Sequence, residues 1–260
     1  MYNARYLDGY RNNYSEIIQN SGTNYFHLNQ SRLGTDLNAG HTFRLGMDVN
    51  LKARNTLGFS ATGNIGVRDR RGDLWNSTYD ETGVRDSLWQ RMSYDPSQQH
   101  NYDMNAYYKY DLKNDRGSLS FDASQSLGNE HTQGYYLQRY YALDSTLNTI
   151  PYLKQELHNK EKNNITTLQT DFTYLLPKIG ARFESGAKAI LRDQLVDTYS
   201  SHYDWNSQSN VADSMANFLY AYKEQIYSLY AVYGQQINRF KFQGGLRAED
   251  AYQIPNLISD

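Results

Sequence analysis

The sequence predicts an all-β fold, an antiparallel meander of about nine long strands forming part of a transmembrane β-barrel. Three observations carry this expectation. From Phe43 to Leu51 the odd positions are apolar (Phe43, Leu45, Met47, Val49, Leu51) and the even ones polar or small (Arg44, Gly46, Asp48, Asn50). A strand turns successive side chains to opposite faces, so this segment has one greasy face and one wet face. The same hairpin recurs down the chain. Short turns at one end of each hairpin contrast with long polar connections at the other, the asymmetry of barrels with short periplasmic turns and long extracellular loops.

Taken in order, the strands are expected over residues 2–19, 23–51, 56–79, 86–112, 118–141, 152–176, 181–204, 214–236 and 240–254. Residues 52–55 (Lys-Ala-Arg-Asn) turn the chain into a second alternating arm, Leu57, Phe59, Ala61, Ile65, Val67. Lys113-Asn114-Asp115-Arg116-Gly117 joins Tyr102, Met104, Ala106, Tyr108, Tyr110, Leu112 to Leu119, Phe121, Ala123. Around Pro177-Lys178 the chain passes from Leu168, Phe172, Tyr174, Leu176 to Ala181, Phe183, Ala187, Ala189, Leu191. Around Asn238-Arg239 it passes from Tyr227, Leu229, Ala231, Tyr233 to Phe242, Gly244, Leu246, Ala248. These turns fall about 61 residues apart, a regular rhythm. The polar connections span roughly 69–100, 129–163 and 193–216, and Leu88, Gln90, Met92, Tyr94 still alternate within them, so strands run well past a bilayer that about 10 residues cross.

Composition narrows the class. In 260 residues there are 25 Tyr and 18 Gly but 4 Pro and no Cys, with a mean hydropathy of −0.81. A soluble two-sheet protein needs more Val, Ile and Leu between its layers. A barrel with a watery lumen needs apolar side chains only on its outer band. No stretch approaches the roughly 20 apolar residues of a membrane helix. A net charge of −2, from 26 basic and 28 acidic residues, argues against nucleic acid as a partner. Without Cys there is no thiolate chemistry, and the six histidines are scattered without metal-ligand spacing. Residues 111–122 follow a calcium loop only in outline, since Lys113 stands where a ligand is required. No nucleophile elbow, phosphate loop or dinucleotide fingerprint occurs. No catalytic residue, cofactor site or metal site is assigned.

The alternation sorts side chains into two sets. Lipid-facing candidates are Phe43, Leu45, Met47, Val49, Leu57, Phe59, Leu119, Phe121, Phe172 and Phe183. Lumen-facing candidates are Arg44, Asp48, Asp103, Lys109, Asp122, Asp171, Arg182, Glu184, Lys188, Arg192, Arg247 and Glu249, with opposite charges expected to pair across strands. Tyr107, Tyr108, Tyr110, Tyr135, Tyr136, Tyr140, Tyr141, Tyr220 and Tyr222 are expected to form headgroup girdles.

Several segments resemble the outer-membrane β-barrel family of Bacteroidota, relatives of the barrel domain of TonB-dependent receptors. They are Arg44-Leu-Gly-Met-Asp48, Asn55-Thr-Leu-Gly-Phe-Ser60, residues 163–174, Gly186-Ala-Lys-Ala-Ile-Leu-Arg-Asp193 and Gly244-Gly-Leu-Arg-Ala-Glu249. The likeness runs from about residue 23 onward. It implies an outer-membrane location, contact with lipid, and a role in receiving or importing a nutrient, energised through TonB and with a surface lipoprotein as a further partner. The plug domain, the TonB-contacting segment and the closing strands are missing from this pattern. Met1-Tyr2-Asn3-Ala4-Arg5 lacks the apolar stretch of a signal peptide, and the strand count is odd, so a fragment is expected.

Two other classes compete. A surface-attached or soluble β-protein binding carbohydrate would use Trp75, Trp89 or Trp205. An outer-membrane barrel hydrolase would need Ser or Asp beside His at the loop rim, where Asp95 with His100 and His202 with Asp204 are the available pairs.

Overall fold

The computed structural model describes residues 1–21, 24–148 and 151–259. Its strands are β1 (Tyr2–Ser21), β2 (Asn24–Lys52), β3 (Asn55–Tyr79), β4 (Arg85–Asp111), β5 (Gly117–Tyr141), β6 (Leu153–Leu176), β7 (Ala181–Asp204), β8 (Ser209–Ala212), β9 (Phe218–Ile237) and β10 (Phe240–Ser259). All belong to one antiparallel sheet in the order β1-β2-β3-β4-β5-β6-β7-β9-β10. The four-residue β8 pairs only with the outer end of β7, Ser201 to Asp204, and was not expected from the sequence. It extends the line of β9 after a break at residues 213–217. The expected nine long strands are therefore present, with the eighth starting at Phe218 and the ninth running on to Ser259.

The four expected turns all occur. Residues 113–115 and 177–179 each form one turn of 3-10 helix. Two glycines are required by the backbone there. Gly117 has φ 138°, and a side chain on it would meet the Thr173 carbonyl oxygen at 1.9 Å. Gly180 closes its turn in the left-handed region at φ 64°.

At the opposite end the connections are shorter than the composition implies. Most of 69–100, 129–163 and 193–216 is strand, and among the described residues the chain leaves the sheet at this end only near 80–84, 142–148, 151–152, 205–208 and 213–217. Residues 149 and 150 lie outside the described residues, as do residues 22 and 23, the latter being the expected start of the second strand. Ladder hydrogen bonds join backbone to backbone, so a stretch polar on both faces pairs as well as one with a greasy face. Pro96 is tolerated inside β4 because pairing with β5 skips Asp95 and Pro96 and resumes at Ser97 opposite Thr132.

No second layer covers the sheet among the described residues. Among the described residues only Leu88 and Ala181 are buried apolar residues. Leu45 is 68% exposed, Leu246 85% and Phe121 48%. A water-soluble chain of this size would bury most such side chains in a packed interior. The outer edges of β1 and β10 pair with no strand among the described residues.

Candidate functional site

Residues directly opposite each other in an antiparallel ladder share a face, so the register assigns every strand residue to one side. One row reads Val49, Leu57, Tyr108, Phe121, Thr170, Ala187, Leu229, Ala248 across β2 to β10. The adjacent row on the other side reads Asp48, Gly58, Tyr107, Asp122, Gln169, Lys188, Ser228, Glu249. Continued over the sheet, this puts Phe43, Leu45, Met47, Val49, Leu57, Phe59, Leu119, Phe121, Phe172 and Phe183 together on an apolar face. Arg44, Asp48, Asp103, Lys109, Asp122, Asp171, Arg182, Glu184, Lys188, Arg192, Arg247 and Glu249 share the polar face. The separation is not perfect: Ile165, Ile190 and Ile226 sit on the polar face, the last two paired.

The apolar face is greasy only in the half near the short turns. On β3 the band runs from Leu57 to Val67 and then meets Asp69, Arg71 and Asp73. At about 3.4 Å per residue and a tilt of about 45°, that run rises about 24 Å, the height of a bilayer-spanning band.

The polar face is knitted together by hydrogen bonds and ion pairs. Close ion pairs join Lys109 to Asp111 at 3.0 Å, Arg247 to Glu249 at 2.6 Å, and Arg182 to Glu184. These link residues two apart on one strand, whereas cross-strand pairing was expected. Arg192 with Glu224 at 3.0 Å does join neighbouring strands. Ser126 donates to Asp103 at 2.6 Å, and Arg44 donates to Thr62 Oγ1 at 3.4 Å.

Two tyrosines span an intervening strand by lying across a glycine. Tyr107 on β4 passes over Gly58 on β3 and donates to Asp48 Oδ1 on β2 at 3.0 Å. Tyr230 on β9 passes over Gly186 on β7 and donates to Asp171 Oδ1 on β6 at 2.5 Å. A methyl group on Gly58 would stand 2.0 Å from the Tyr107 ring, and one on Gly186 2.5 Å from the Tyr230 ring. The sequence pointed to Asp48 and Asp171 but missed the partners, which only register brings opposite.

The girdle expectation needs correction. Tyr108, Tyr110, Tyr135 and Tyr141 lie on the apolar face, but Tyr107, Tyr136, Tyr140, Tyr220 and Tyr222 lie on the polar one. Neighbours in a strand face opposite ways, so an adjacent tyrosine pair cannot belong to one girdle. The polar-face hydroxyls find carboxylates: Tyr136 donates to Asp95 at 2.6 Å and Tyr222 to Glu224 at 2.8 Å.

At the end with the longer connections, Trp205 packs edge-on against Tyr152 and Tyr203 and donates to the Tyr152 carbonyl at 2.7 Å. Trp75 packs against Tyr141 with centroids 5.0 Å apart. His202 is held by Asp213 rather than by Asp204, and the same carboxylate accepts from the Ser200 hydroxyl at 2.6 Å. That Ser200 bond, and then His202, holds the Asp213 carboxyl below its usual range. The carboxylate stands between serine and histidine, so the hydroxyl of the buried Ser200 bonds to Asp213 and Gln155 and not to the imidazole. This trio ties the break before β9 to β7.

Asp80 does similar work in the β3–β4 turn. Its Oδ1 accepts from Thr82 Oγ1 at 2.7 Å and from the Thr82 and Val84 amides at 2.9 Å. The Thr82 hydroxyl first, then the Val84 amide, depresses its pKa. A carboxylate depressed in the folded state contributes order above its ordinary pKa and loses it as pH falls through the folded value. Exchange of the Thr82 and Val84 amides is therefore expected to be protected at neutral pH and to lose that protection in acid. Asp80→Asn is expected to abolish this pH dependence, as read by hydrogen–deuterium exchange.

Among the described residues no group of three or more His, Cys, Asp or Glu side chains is placed to hold a metal ion. No curated protein and no solved structure matches the chain. Residues 110–258, more than half of the sequence, match the outer membrane protein beta-barrel family. A continuous antiparallel meander without a dry core, greasy on one face and charged on the other, is the architecture such a match requires, and the chain belongs to that family, in the outer membrane.

Proposed function

We propose that these strands are a wall segment of a receptor and transport barrel, akin to the TonB-dependent receptors of Bacteroidota, whose polar face lines a water-filled lumen through which a nutrient is received. The observation that carries this reading is the exposed apolar band of about bilayer height, backed by a charged face and no packed interior. Hydrocarbon solvates the first and water the second. The role is binding and passage rather than catalysis, in keeping with a Ser200 hydroxyl that bonds to Asp213 and not to the His202 imidazole.

The bare edges of β1 and β10 support a larger barrel. Unpaired backbone groups do not persist in hydrocarbon. Successive strands alternate in direction, so β1 and β10, first and ninth on the path, run the same way. All-antiparallel closure then takes at least one further strand, supplied from beyond these residues. A plug within the lumen, TonB acting through that plug and a surface lipoprotein over the loops are the partners this reading brings with it.

The absence of cysteine allows a direct test. Single replacements Arg44→Cys and Asp48→Cys are expected to react with a water-soluble maleimide in proteoliposomes, and Leu45→Cys and Met47→Cys to be shielded. Equal labelling of the two pairs would overturn the assignment of faces.

A further inference from the structure

Beyond the apolar band, the polar face of β1 to β4 carries more positive charge than its own carboxylates neutralise. Arg5, Arg11, Arg32, Arg68, Arg70 and Arg91 all project to this side. Facing them are Asp36 and Asp95 from the same strands and Glu130 from β5. Asp8, Asp69 and Asp73 lie at the same level but on the other face.

Asp36 is already crowded. Arg68 reaches it with two nitrogens at 3.0 and 2.9 Å, and Arg11 also pairs with it. Arg70 is left at 3.8 Å, and its buried Nε has no hydrogen-bond acceptor. Asp95 accepts from Tyr136, whose ring lies under the Arg91 guanidinium at 4.8 Å. Arg32 and Arg91 form no ion pair among the described residues.

These three under-used cations surround a single small residue. Arg32, Leu74 and Arg91 form one row of the ladder, and Gly72 follows Arg70 by one position on the same face of β3. Strand geometry sets the Cα atoms of Arg32, Arg70 and Arg91 about 7–8 Å from that of Gly72, within reach of an arginine side chain. Arg32 already lies over the spot, its Nη2 3.7 Å from where a Gly72 methyl would be, and Ser93 Oγ is 2.8 Å from it. A separate hollow of about 410 Å³ between Arg5, Arg68 and Glu130, above Gly40 and Gly66, lies six residues further along β3 toward the short turns.

We infer that the polar face around Gly72 binds a multiply charged oxyanion, a phosphate or sulfate group carried by a water-soluble compound, through Arg32, Arg70 and Arg91 with the Ser93 hydroxyl beside them. Guanidinium groups present paired N–H donors matching the oxygens of such a group. The surplus charge draws the anion in. The inference rests on the reading of this face as water-lined.

The test is calorimetric titration of the whole chain in detergent with inorganic pyrophosphate. Saturable binding is expected, weakening with added salt, and falling about tenfold with either Arg32→Gln or Arg91→Gln. Arg71→Gln, next in sequence to Arg70 but on the opposite face and paired with Asp69 at 3.3 Å, is expected to change nothing. Displacement of pyrophosphate by soluble sugar phosphates supports the proposal. No saturable binding, equal loss with Arg71→Gln, or competition only by vesicles containing phosphorylated lipid would overturn it. Maleimide labelling of the Arg44→Cys and Leu45→Cys chains is read in parallel. Correct labelling without binding rejects the anion site alone, whereas uniform labelling rejects the lumen reading itself.

Discussion

Leu45→Arg is expected to prevent stable insertion of the sheet into lipid, whereas Arg44→Leu, one residue away, leaves insertion nearly unchanged. Leu45 sits in a row with Ala61 and Met104 within the apolar band and is 68% exposed, so nothing in the protein could shield an arginine there. An arginine at the lipid midplane costs about 2–4 kcal/mol. Arg44 contributes one long hydrogen bond to Thr62 on the other face, and its removal gives up little. The measurement is the folded fraction in liposomes by heat-modifiable electrophoretic mobility. Equal tolerance of the two substitutions would mean that neither face meets hydrocarbon.

Gly186→Ala is expected to destabilise the sheet by about 1–3 kcal/mol, the usual cost of forcing a methyl group into filled space. The added carbon would approach the Thr170 carbonyl oxygen and Asp171 Oδ1 at 2.7 Å and the Tyr230 ring at 2.5 Å. The ring could swing away, but only by giving up its hydrogen bond to Asp171, and the backbone oxygen has nowhere to go. Tyr230→Phe, which keeps the ring and loses the hydroxyl, is expected to cost less. In the double variant Gly186→Ala/Tyr230→Ala, part of the loss should be recovered, because the ring is no longer in the way. Urea unfolding followed by tryptophan fluorescence separates these outcomes. Additive losses would show that ring and glycine do not act together.

Much of the architecture was legible in the linear chain because both of its signals are local. Side chains change face with every residue, so the parity of Phe43 to Leu51 sorts Leu45 from Arg44 without knowledge of any neighbour. Turns likewise announce themselves by short polar runs, and all four fell where Lys113–Gly117 and its counterparts indicated. Composition and alternation disagreed on the extent of the strands, and alternation, which carried the third strand to residue 79, was right. Polar stretches such as 69–79 look like loops by residue type, yet they continue the ladder because backbone pairing is indifferent to side chains.

The contacts of the polar face lay beyond reach of the chain read by itself. Asp171, Gly186 and Tyr230 are separated by long stretches of sequence and meet only through the offsets of two hairpins. The same holds for Asp36 with Arg11 and Arg68, and for the arginines around Gly72. Arg68 continues the even, polar positions of the second arm. Its company was not visible there, because a strand's register against its neighbour depends on turn geometry and on packing summed over the hairpin.

By itself, then, the amino-acid sequence determined the class of fold, the number of long strands and the face of the alternating apolar and charged side chains, though not of the clustered tyrosines, since the first three follow from a period of two and from turn chemistry. The tertiary structure alone decided which residues stand side by side and that, among the described residues, no second layer covers the apolar face and no strand pairs with the outer edges of β1 and β10. Those depend on pairing between distant segments, and no local property of a strand records its partner.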